Sequence, residues 1–361
     1  MGKLSRKILL TSEGEFADWP VDGIESVDSC PVCSSRERHI LHNGLRDRIF
    51  FYAPGTWVLH GCLLCGSAFL DPRPTPETIH IAYGNYYTHK QPEWLPPEDL
   101  HGVRWLQRLL ANGYKNWRFG SNLQPSSFLG VLAAFVMPTS RAILNRQFRH
   151  LPPVPPEGRL LDVGFGDGVF LKNARSIGWA VVGVDPDCEV VENARQCGLN
   201  VYQGGLEALA HMSNCFDVIT MNHVIEHLPD PVAALIACYR LLKQNGYIWL
   251  ETPNINSLGY SRFQKNWRGL EPPRHLVLFN AKSLRKALVD VGFSGVKHLP
   301  HTSVCDGIYT LSQRIKEGID PHIDTPITLK LRVEIAMATF FEILFTSRRE
   351  FIAMKAFKHV E

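Results

Sequence analysis

Short apolar runs and amphipathic stretches alternate through the middle of the chain. Residues 160–163 form a short, mainly apolar run, and residues 170–177 carry apolar side chains at helical spacing. A second apolar run follows at 180–184. Short apolar runs predict buried strands, and the helical spacing predicts a helix between them that ends at Gly178.

The same alternation continues toward the C-terminus. It predicts these further elements: a helix over 189–197, a strand over 199–202, a short helix after 203–205, a strand over 216–220, a helix from Asp230 to Gly246, a strand over 247–250 and a helix capped by Asn280. Residues 296–310 are expected to add the last strands. Strands that alternate with helices indicate a parallel sheet covered on both faces. The predicted fold class is α/β, Rossmann-like, with a mostly parallel sheet of about seven strands.

The segments outside this alternation indicate how the rest of the chain is organised into domains. Four prolines in residues 151–158 predict a stiff linker and a domain boundary. The predicted organisation is a lead-in over 1–28, a head over 29–90, a helical connector over 91–150, the α/β domain over 151–310 and a helical extension over 311–361. The apolar run at 128–137 predicts either a core helix, which we favour, or an interfacial helix that touches a membrane.

Composition and charge narrow the class of protein. Hydrophobic content of 45% and charged content of 20% are ordinary for a soluble globular chain. The formal net charge of +3 is too small to indicate a nucleic-acid partner. No apolar run reaches the roughly 18 residues that a spanning helix needs, and the N-terminus lacks the pattern of a secretory signal. We therefore expect a cytoplasmic protein, in which the cysteines are thiols or metal ligands.

Four cysteines form two C-x-x-C pairs in the head. The first pair is Cys30 and Cys33, and the second is Cys62 and Cys65. Each pair can form one knuckle whose thiolates face the same ion, so the pattern predicts a structural zinc ribbon. A closed site with four cysteines has no open coordination position, and we expect it to support folding rather than catalysis. The remaining cysteines are scattered and are expected to be ordinary buried thiols: Cys188, Cys197, Cys215, Cys238 and Cys305.

A glycine-rich turn joins the first predicted strand of the α/β domain to its helix. Asp162, Gly164 and Gly166 begin the pattern D-x-G-x-G-x-G, and Asp185 ends the second strand. Glycines allow the backbone to approach a ligand closely, and an acidic residue after the second strand can bind ribose hydroxyls. Asp162 would repel a pyrophosphate but suits a ligand with a cationic end. S-adenosylmethionine has such an end, and its carboxylate can use N–H groups at the helix start.

These motifs resemble a known family. Asp162-Val-Gly-Phe-Gly-Asp-Gly, Gly-Val-Asp185-Pro and Glu226-His227-Leu-Pro-Asp-Pro look like class I S-adenosylmethionine-dependent methyltransferases over about residues 155–300. More narrowly, they resemble ubiquinone-biosynthesis O-methyltransferases and bacterial enzymes from polysaccharide and natural-product clusters. The cysteine pairs and segment 252–279 resemble the zinc-ribbon-headed methyltransferases of such clusters.

The resemblance implies roles for individual residues. Asp162, Gly164 and Gly166 would hold the methionine end of S-adenosylmethionine, and Asp185 would bind its ribose. The other implied positions are Gly205 and Leu206 near the adenine, and Asn222 and His223 beside the methyl group. Some ubiquinone-branch enzymes have an acidic metal ligand where this chain has Asn222 or His223, and the chain departs from that pattern.

A hydroxyl acceptor must lose a proton during methyl transfer, so the reaction needs a base. Histidine has a suitable pKa, and the candidates are His223, His227 and His275. The alternative for the first two is a structural hydrogen-bonding role. The alternative for His275 is that segment 252–279 folds for packing.

Segment 252–279 is predicted to be a substrate loop. Loops over a cleft often carry function. Its polar and aromatic side chains would suit a hydroxyl-rich acceptor: Trp267, Arg268, Arg274 and His275.

The predicted function is O-methylation of a hydroxyl on a sugar, glycolipid or secondary metabolite, with S-adenosyl-L-methionine as donor. The alternatives are C-methylation of a nucleotide sugar, RNA base methylation and a non-catalytic zinc-ribbon interaction protein. The expected partner is a small-molecule or glycan acceptor, with no nucleic acid. Oligomerisation and peripheral contact with the inner membrane face stay open.

Overall fold

The computed structural model of the chain describes residues 18–84, 101–299 and 303–359. Residues 1–17 of the predicted lead-in and residues 91–100 of the predicted connector lie outside the described residues. The strands are β1 (Ile24–Glu25), β2 (Arg38–Leu45), β3 (Trp57–Cys62), β4 (Ala68–Leu70), β5 (Arg73–Pro74), β6 (Arg159–Val163), β7 (Ala180–Asp185), β8 (Val201–Gln203), β9 (Phe216–Asn222), β10 (Leu242–Pro253), β11 (Val277–Leu278), β12 (Ser294–His298) and β13 (Phe351–Phe357). The helices are α1 (Val103–Phe119), α2 (Leu129–Val136), α3 (Pro138–Gln147), α4 (Val169–Ser176), α5 (Cys188–Gln196), α6 (Pro231–Leu241), α7 (Leu258–Phe263), α8 (Ala281–Val291), α9 (Cys305–Glu317) and α10 (Leu329–Leu344).

The largest sheet has seven strands in the order β12-β13-β10-β9-β6-β7-β8. The five strands from β10 to β8 are parallel to one another. Strand β13 runs antiparallel to both of its neighbours, β10 and β12. The predicted fold class, a mostly parallel Rossmann-like sheet with helices, is confirmed.

The central strands are apolar on both faces, as a sheet covered by helices requires. In β6, Leu160 belongs to one apolar cluster and Leu161 to the other, because neighbouring side chains point to opposite faces. In β10, Trp249 and Leu250 divide in the same way. The carboxyl ends of these strands therefore meet at one edge of the sheet, where ligands of such folds bind.

The boundary between α6 and β10 differs from the sequence prediction. The helix was expected to continue to Gly246, but it ends at Leu241 and β10 begins at Leu242. Gly246 instead lies where the register between β9 and β10 shifts. A Cβ at Gly246 would lie 3.1 Å from the carbonyl oxygen of Asp217, so this close approach of two strands accounts for the glycine.

The C-terminal prediction was wrong in two places. Residues 296–310 were expected to supply the last strands, but among the described residues of this range only 296–298, in β12, form a strand, and α9 begins at Cys305. The predicted helical extension over 311–361 does contain α10, but β13 follows it and enters the main sheet. The backbone of β13 pairs with its two neighbouring strands, and its apolar side chains Ile352, Met354 and Ala356 join the core.

The head and the α/β domain share a second sheet. Its four strands have the order β11-β4-β3-β2, so segment 252–279 contributes β11 to a sheet built mainly by the head. Leu70 N also donates a hydrogen bond to Leu276 O at 3.0 Å. The head and segment 252–279 are therefore one structural unit.

Helices α1, α2 and α3 form the connector and lead directly into β6. Gly130 of α2 lies so close to α1 that a Cβ there would be 1.9 Å from Leu110 O. Among the described helices, none combines the length and the apolar character that a bilayer-spanning segment requires.

Candidate functional site

The glycine turn between β6 and α4 depends on the absence of side chains. Gly164 has a φ of +65°, and a Cβ there would lie 2.6 Å from Cγ2 of Val224. Gly164 N also donates to Val184 O at 2.8 Å, which holds the turn against β7. Because a larger residue would be strained and would clash, the turn is built for close backbone approach.

Asp185 lies at the end of β7 and holds the same turn through its carboxylate. Oδ2 accepts a hydrogen bond from Gly166 N at 3.0 Å, and Oδ1 accepts one from Asp187 N at 3.0 Å. The side chain is buried. A carboxylate oxygen can accept more than one hydrogen bond, which suits this side chain to hydroxyl groups.

Asp162 is fully buried and forms a salt bridge with Arg149. Arg149 Nη1 and Asp162 Oδ1 each lie 2.8 Å from Thr220 Oγ1. The guanidinium also stacks 3.7 Å from the ring centre of Phe170. Burial raises the pKa of the Asp162 carboxyl, and the positive charge of Arg149 opposes that rise. The second oxygen, Oδ2, is buried and has no hydrogen-bond partner among the described residues.

A cavity of about 580 Å³ opens beside this turn. Such a volume is within the usual range for small-molecule sites. Its lining comes from α3 and the segment after it, the glycine turn, the start of α4 and the end of β9: Ile143, Arg146, Gln147, Arg149, Asp167, Val169, Phe170 and Asn222. Of the predicted cofactor residues, Asn222 lines this cavity. Asp162 does not line it but forms a salt bridge with Arg149, which does.

The arginines of α3 and the residues after it were missed as site residues. Arg146 Nη2 donates to Glu251 Oε1 at 2.7 Å, and Arg149 pairs with Asp162. A signal was present in the sequence, because a carboxylate inside a buried strand needs a cation or several donors. Arginines immediately before β6 were the nearest candidates.

The residues predicted near the adenine lie after β8. Gly205 N donates to Glu207 Oε1 at 2.6 Å, and Leu206 begins a short 3-10 helix over Leu206–Leu209. Leu206 is half-buried. Strand β8 neighbours β7, so this turn lies at the same edge of the sheet as Asp185.

His223 follows β9 directly and contacts two buried carboxylates. Its Nδ1 lies 3.1 Å from Glu226 Oε1, and its Nε2 lies 3.6 Å from Glu251 Oε1. Burial lowers the pKa of His223, but the two carboxylates outweigh that effect and raise the pKa to about 9. His223 is therefore a cation at neutral pH and cannot accept a proton there.

His227 and His275 lie against each other, with ring centres 4.8 Å apart. His227 Nδ1 lies 3.0 Å from Arg274 O and 2.9 Å from the hydroxyl of Tyr83. A carbonyl oxygen can only accept, so Nδ1 donates this hydrogen bond, and the neutral tautomer of the ring has its lone pair on Nε2. His275 is buried, its Nδ1 lies 2.8 Å from Gly269 O, and burial lowers its pKa to about 4.

Glu226 completes this cluster. It is fully buried, and its Oε2 accepts a hydrogen bond from Thr252 Oγ1 at 2.9 Å. Ligand atoms of Glu226, His227 and His275 all lie within 4.8 Å of one another. The cluster joins the end of β9 to segment 252–279.

Segment 252–279 does not present its predicted acceptor residues to a cleft. Trp267 is buried and its Nε1 donates to Glu350 Oε2 at 2.9 Å. Arg274 is fully buried, and its Nη2 lies 2.6 Å from Asp47 Oδ2. The prediction that these two side chains face a hydroxyl-rich acceptor is therefore wrong, because they hold the segment against the head and the C-terminal part of the chain. Arg268 is partly buried and pairs with Glu271.

The four predicted zinc ligands lie together in the head. The sulfur atoms of Cys30 and Cys65 are 3.7 Å apart, and those of Cys33 and Cys62 are 3.5 Å apart. All four sulfur atoms lie within 4.8 Å of one another. A tetrahedral ion with bonds of about 2.3 Å to sulfur would separate the sulfurs by about 3.8 Å. The arrangement is compatible with a zinc ribbon.

Comparisons with known proteins identify the domain that carries the glycine turn. A family model described as a methyltransferase domain matches residues 139–298. The ubiquinone biosynthesis O-methyltransferase of Thiobacillus denitrificans is 33% identical over 113 residues, which cover 28% of this chain and 47% of that protein. The corresponding protein of Cereibacter sphaeroides is 37% identical over 116 residues, which cover 30% of this chain and 47% of that protein. The chain thus spans less than half the length of these curated relatives.

Solved structures are similar in fold. One is a SAM-dependent methyltransferase from Archaeoglobus fulgidus, with 22% identity, a TM-score of 0.40 and coverage of 62% of this chain and 93% of that chain. Another is the phosphoethanolamine N-methyltransferase 2 of Haemonchus contortus in complex with S-adenosyl-L-methionine. It has 18% identity, a TM-score of 0.41 and coverage of 81% of this chain and 63% of that chain.

The segment that matches the methyltransferase-domain model contains both the glycine turn and the acidic residue after β7. The match begins within the predicted connector rather than at 151. Helix α3 therefore belongs to the matched segment, in agreement with its place on the cavity wall.

Proposed function

We propose that the protein transfers the methyl group of S-adenosylmethionine to a hydroxyl of a sugar, glycolipid or related secondary metabolite. The observation that carries this proposal is the glycine turn at the carboxyl edge of the main sheet, which Asp185 holds by a hydrogen bond and which borders the cavity through Asp167. The family match and the ubiquinone O-methyltransferase relatives support both the donor and the O-methyl chemistry.

The residues at this edge fit the donor chemically. The unpartnered Oδ2 of Asp162 can accept a hydrogen bond from an ammonium group, and the N–H groups of the turn can donate to a carboxylate. The carboxylate of Asp185 can accept from ribose hydroxyls. We propose that Gly205 and Leu206 border the adenine and that Gly164, Gly166 and Asn222 border the methionine end. When bound, S-adenosylmethionine supplies an electrophilic methyl group.

We favour His227 as the base that removes the acceptor proton. His223 is protonated at neutral pH, and its charge is held by Glu226 and Glu251. His275 is neutral but is more deeply buried than His227. His227 is half-buried, and the hydrogen bond at Nδ1 leaves the lone pair on Nε2. A base so oriented can accept a proton from a hydroxyl that approaches it.

We propose that the four cysteines of the head bind a structural zinc ion. Cys65 O accepts a hydrogen bond from Asn280 Nδ2 at 3.0 Å, and Asn280 also caps α8. The metal knuckle would therefore stabilise the contact between head and methyltransferase domain as well as the head itself. Further proposals are an acceptor that is a small molecule or glycan, and peripheral contact with a membrane.

Donor binding is the direct test of the proposed function. Isothermal titration calorimetry should detect binding of S-adenosylmethionine to the full chain. Asp185→Ala should weaken binding by at least about tenfold, because it removes the acceptor for ribose hydroxyls. Asp290→Ala is the matched control, since Asp290 is an exposed carboxylate on α8.

Absence of binding by the wild-type chain would reject the methyl-donor site and favour a non-catalytic interaction protein. Transfer of labelled methyl groups to a panel of sugars, nucleotide sugars, glycolipids and phenols then tests the acceptor. Label that appears only on carbon would support the C-methylation alternative.

A further inference from the structure

Helix α2 was expected to be a core helix, but that prediction is wrong, because one apolar face of the helix lies open to solvent. Its exposed side chains are spaced three and four residues apart and so share one side of the helix. They are Phe128 at 70% exposed, Leu129 at 62%, Leu132 at 54%, Phe135 at 59% and Val136 at 79%. Met137, 56% exposed, continues this face toward α3. A contiguous apolar patch of this kind marks an interaction surface.

The opposite side of α2 is already occupied by α1. Val131 and Ala134 are buried, and Gly130 allows α2 to approach the backbone of α1 at Leu110. This close packing fixes the rotation of α2 about its axis. The apolar face therefore cannot turn inward without loss of the contact between α1 and α2.

Arg141 is the cation that lies against this face. Residues 101–150 contain seven lysine and arginine residues and no aspartate or glutamate, and two of the seven, Arg146 and Arg149, are paired with Glu251 and Asp162 at the cavity. The guanidinium carbon of Arg141 lies 5.7 Å from the ring centre of Phe135, and Arg104 on α1 is exposed. Trp117 is 54% exposed, and its ring centre lies 6.0 Å from that of Phe135. Apolar, aromatic and cationic side chains in one place are the combination that interfacial helices present to membranes.

We propose that this face, residues 128–137 with the surrounding cations, docks on the surface of an anionic lipid bilayer. The positive charge of Arg141 favours lipid over a second copy of the chain, because two copies docked through this face would bring like charges together. An anionic bilayer supplies both an apolar layer for the exposed side chains and phosphate groups for the cations. Helix α3 follows this face directly, and its half-exposed Ile143 lines the cavity. Docking therefore brings the cavity close to the bilayer.

Vesicle binding by the full chain tests the proposal. The probes are phosphatidylcholine vesicles with about 30% phosphatidylglycerol and vesicles of phosphatidylcholine alone, compared by flotation. We expect binding to the anionic vesicles that weakens as the salt concentration rises from about 0.1 M to 1 M. The test variant combines Leu132→Ser with Phe135→Ser, and it should lower vesicle affinity by about tenfold or more.

The matched control combines Ile236→Ser with Val289→Ser. These side chains are 55% and 50% exposed on α6 and α8, close to the exposures at 132 and 135. The control should bind anionic vesicles as the wild type does. Circular dichroism of both variants establishes that they are folded.

Three results would contradict the proposal that this face docks on an anionic bilayer. They are a wild-type chain that does not float with anionic vesicles, equal losses in both double variants, or a dimer in sedimentation velocity that only the test variant dissociates. The last result would assign the face to a second copy of the chain. Docking does not require methyl transfer. Calorimetry with S-adenosylmethionine on the same samples therefore shows whether donor binding fails independently of vesicle binding.

Discussion

Arg274 and Asp47 form a salt bridge in which neither side chain is exposed, with 2.6 Å between Arg274 Nη2 and Asp47 Oδ2. The two residues belong to different parts of the chain, the head and segment 252–279. The same carboxylate accepts four backbone N–H groups between residues 49 and 53. One aspartate therefore shapes a turn of the head and holds that turn against the methyltransferase domain.

Asp47→Ala should destabilise the protein strongly. It leaves the Arg274 guanidinium buried without its close partner, and loss of one member of a buried pair costs about 3–5 kcal/mol. The free energy of unfolding from urea titrations measures this effect. The control is Asp290→Ala, which removes an exposed pair with Lys286 and should cost less than about 1 kcal/mol. Similar losses in the two variants would contradict the role assigned to Asp47.

Arg149→Met should destabilise the glycine-turn region through Asp162. The substitution keeps much of the apolar contact with Phe170 but leaves a fully buried carboxylate without its cation. We expect a loss of about 3–5 kcal/mol in the free energy of unfolding. Combination with Asp162→Asn should restore part of it, since the charge that Arg149 balances is then absent. A double-mutant cycle with a coupling energy below about 0.5 kcal/mol would show that the pair does not act together.

The charge on His223 should make stability depend on pH. Its pKa is about 9 in the folded protein and about 6.5 in the unfolded chain. A pKa that folding raises contributes stability that is fully present below pH 6.5 and is lost as the pH rises through 9. We expect a decrease of about 1–3 kcal/mol over this interval, since partial exposure of the side chain reduces the effect.

His223→Asn isolates this contribution. Asparagine tolerates the φ of +55° at this position, so the backbone should be retained. The difference in free energy of unfolding between wild type and variant should shrink between pH 6.5 and 9. A difference that stays constant across this interval would show that His223 is not charged in the folded protein.

Removal of the proposed zinc ion should destabilise the head. Purified protein should contain about one zinc per chain by mass spectrometry of metals, and a strong chelator should lower the melting temperature. Cys62→Ser should have the same effect. The control is Cys188→Ser with Cys197→Ser, because both thiols lie outside the cluster and are exposed, whereas the sequence predicted them to be buried. Metal-free protein with an unchanged melting temperature would exclude a structural ion.

Local sequence patterns were sufficient to predict most of the strands and helices of the α/β domain. Strand β6, the glycine turn, α4 and β7 were expected near the positions where they occur, because apolar periodicity and glycine act over a few residues. The caps at Asp230 and Asn280 were also expected, and each accepts a backbone hydrogen bond at a helix start. Gly246 was misassigned, because a glycine after a helix resembles a stop signal whether it ends the helix or allows two strands to approach.

These local patterns could not predict contacts between residues that are distant in the sequence. Strand β13 has apolar positions that also suit a helix, and only its pairing with β10 and β12 decides its conformation. Strand β11 consists of two residues, which is too short for any periodic signal. Its place in the sheet of the head depends on β4, more than 200 residues earlier in the chain.

The sequence by itself determined the parallel sheet, the glycine turn, the acidic residue after β7 and the grouping of the cysteines, because each follows from short-range chemistry. The tertiary structure decided which side chains share an environment. It paired Arg149 with Asp162, buried Arg274 against the head and charged His223 between two carboxylates. Burial and electrostatic interaction depend on neighbours that are close in space and remote in sequence, so only the folded chain establishes them.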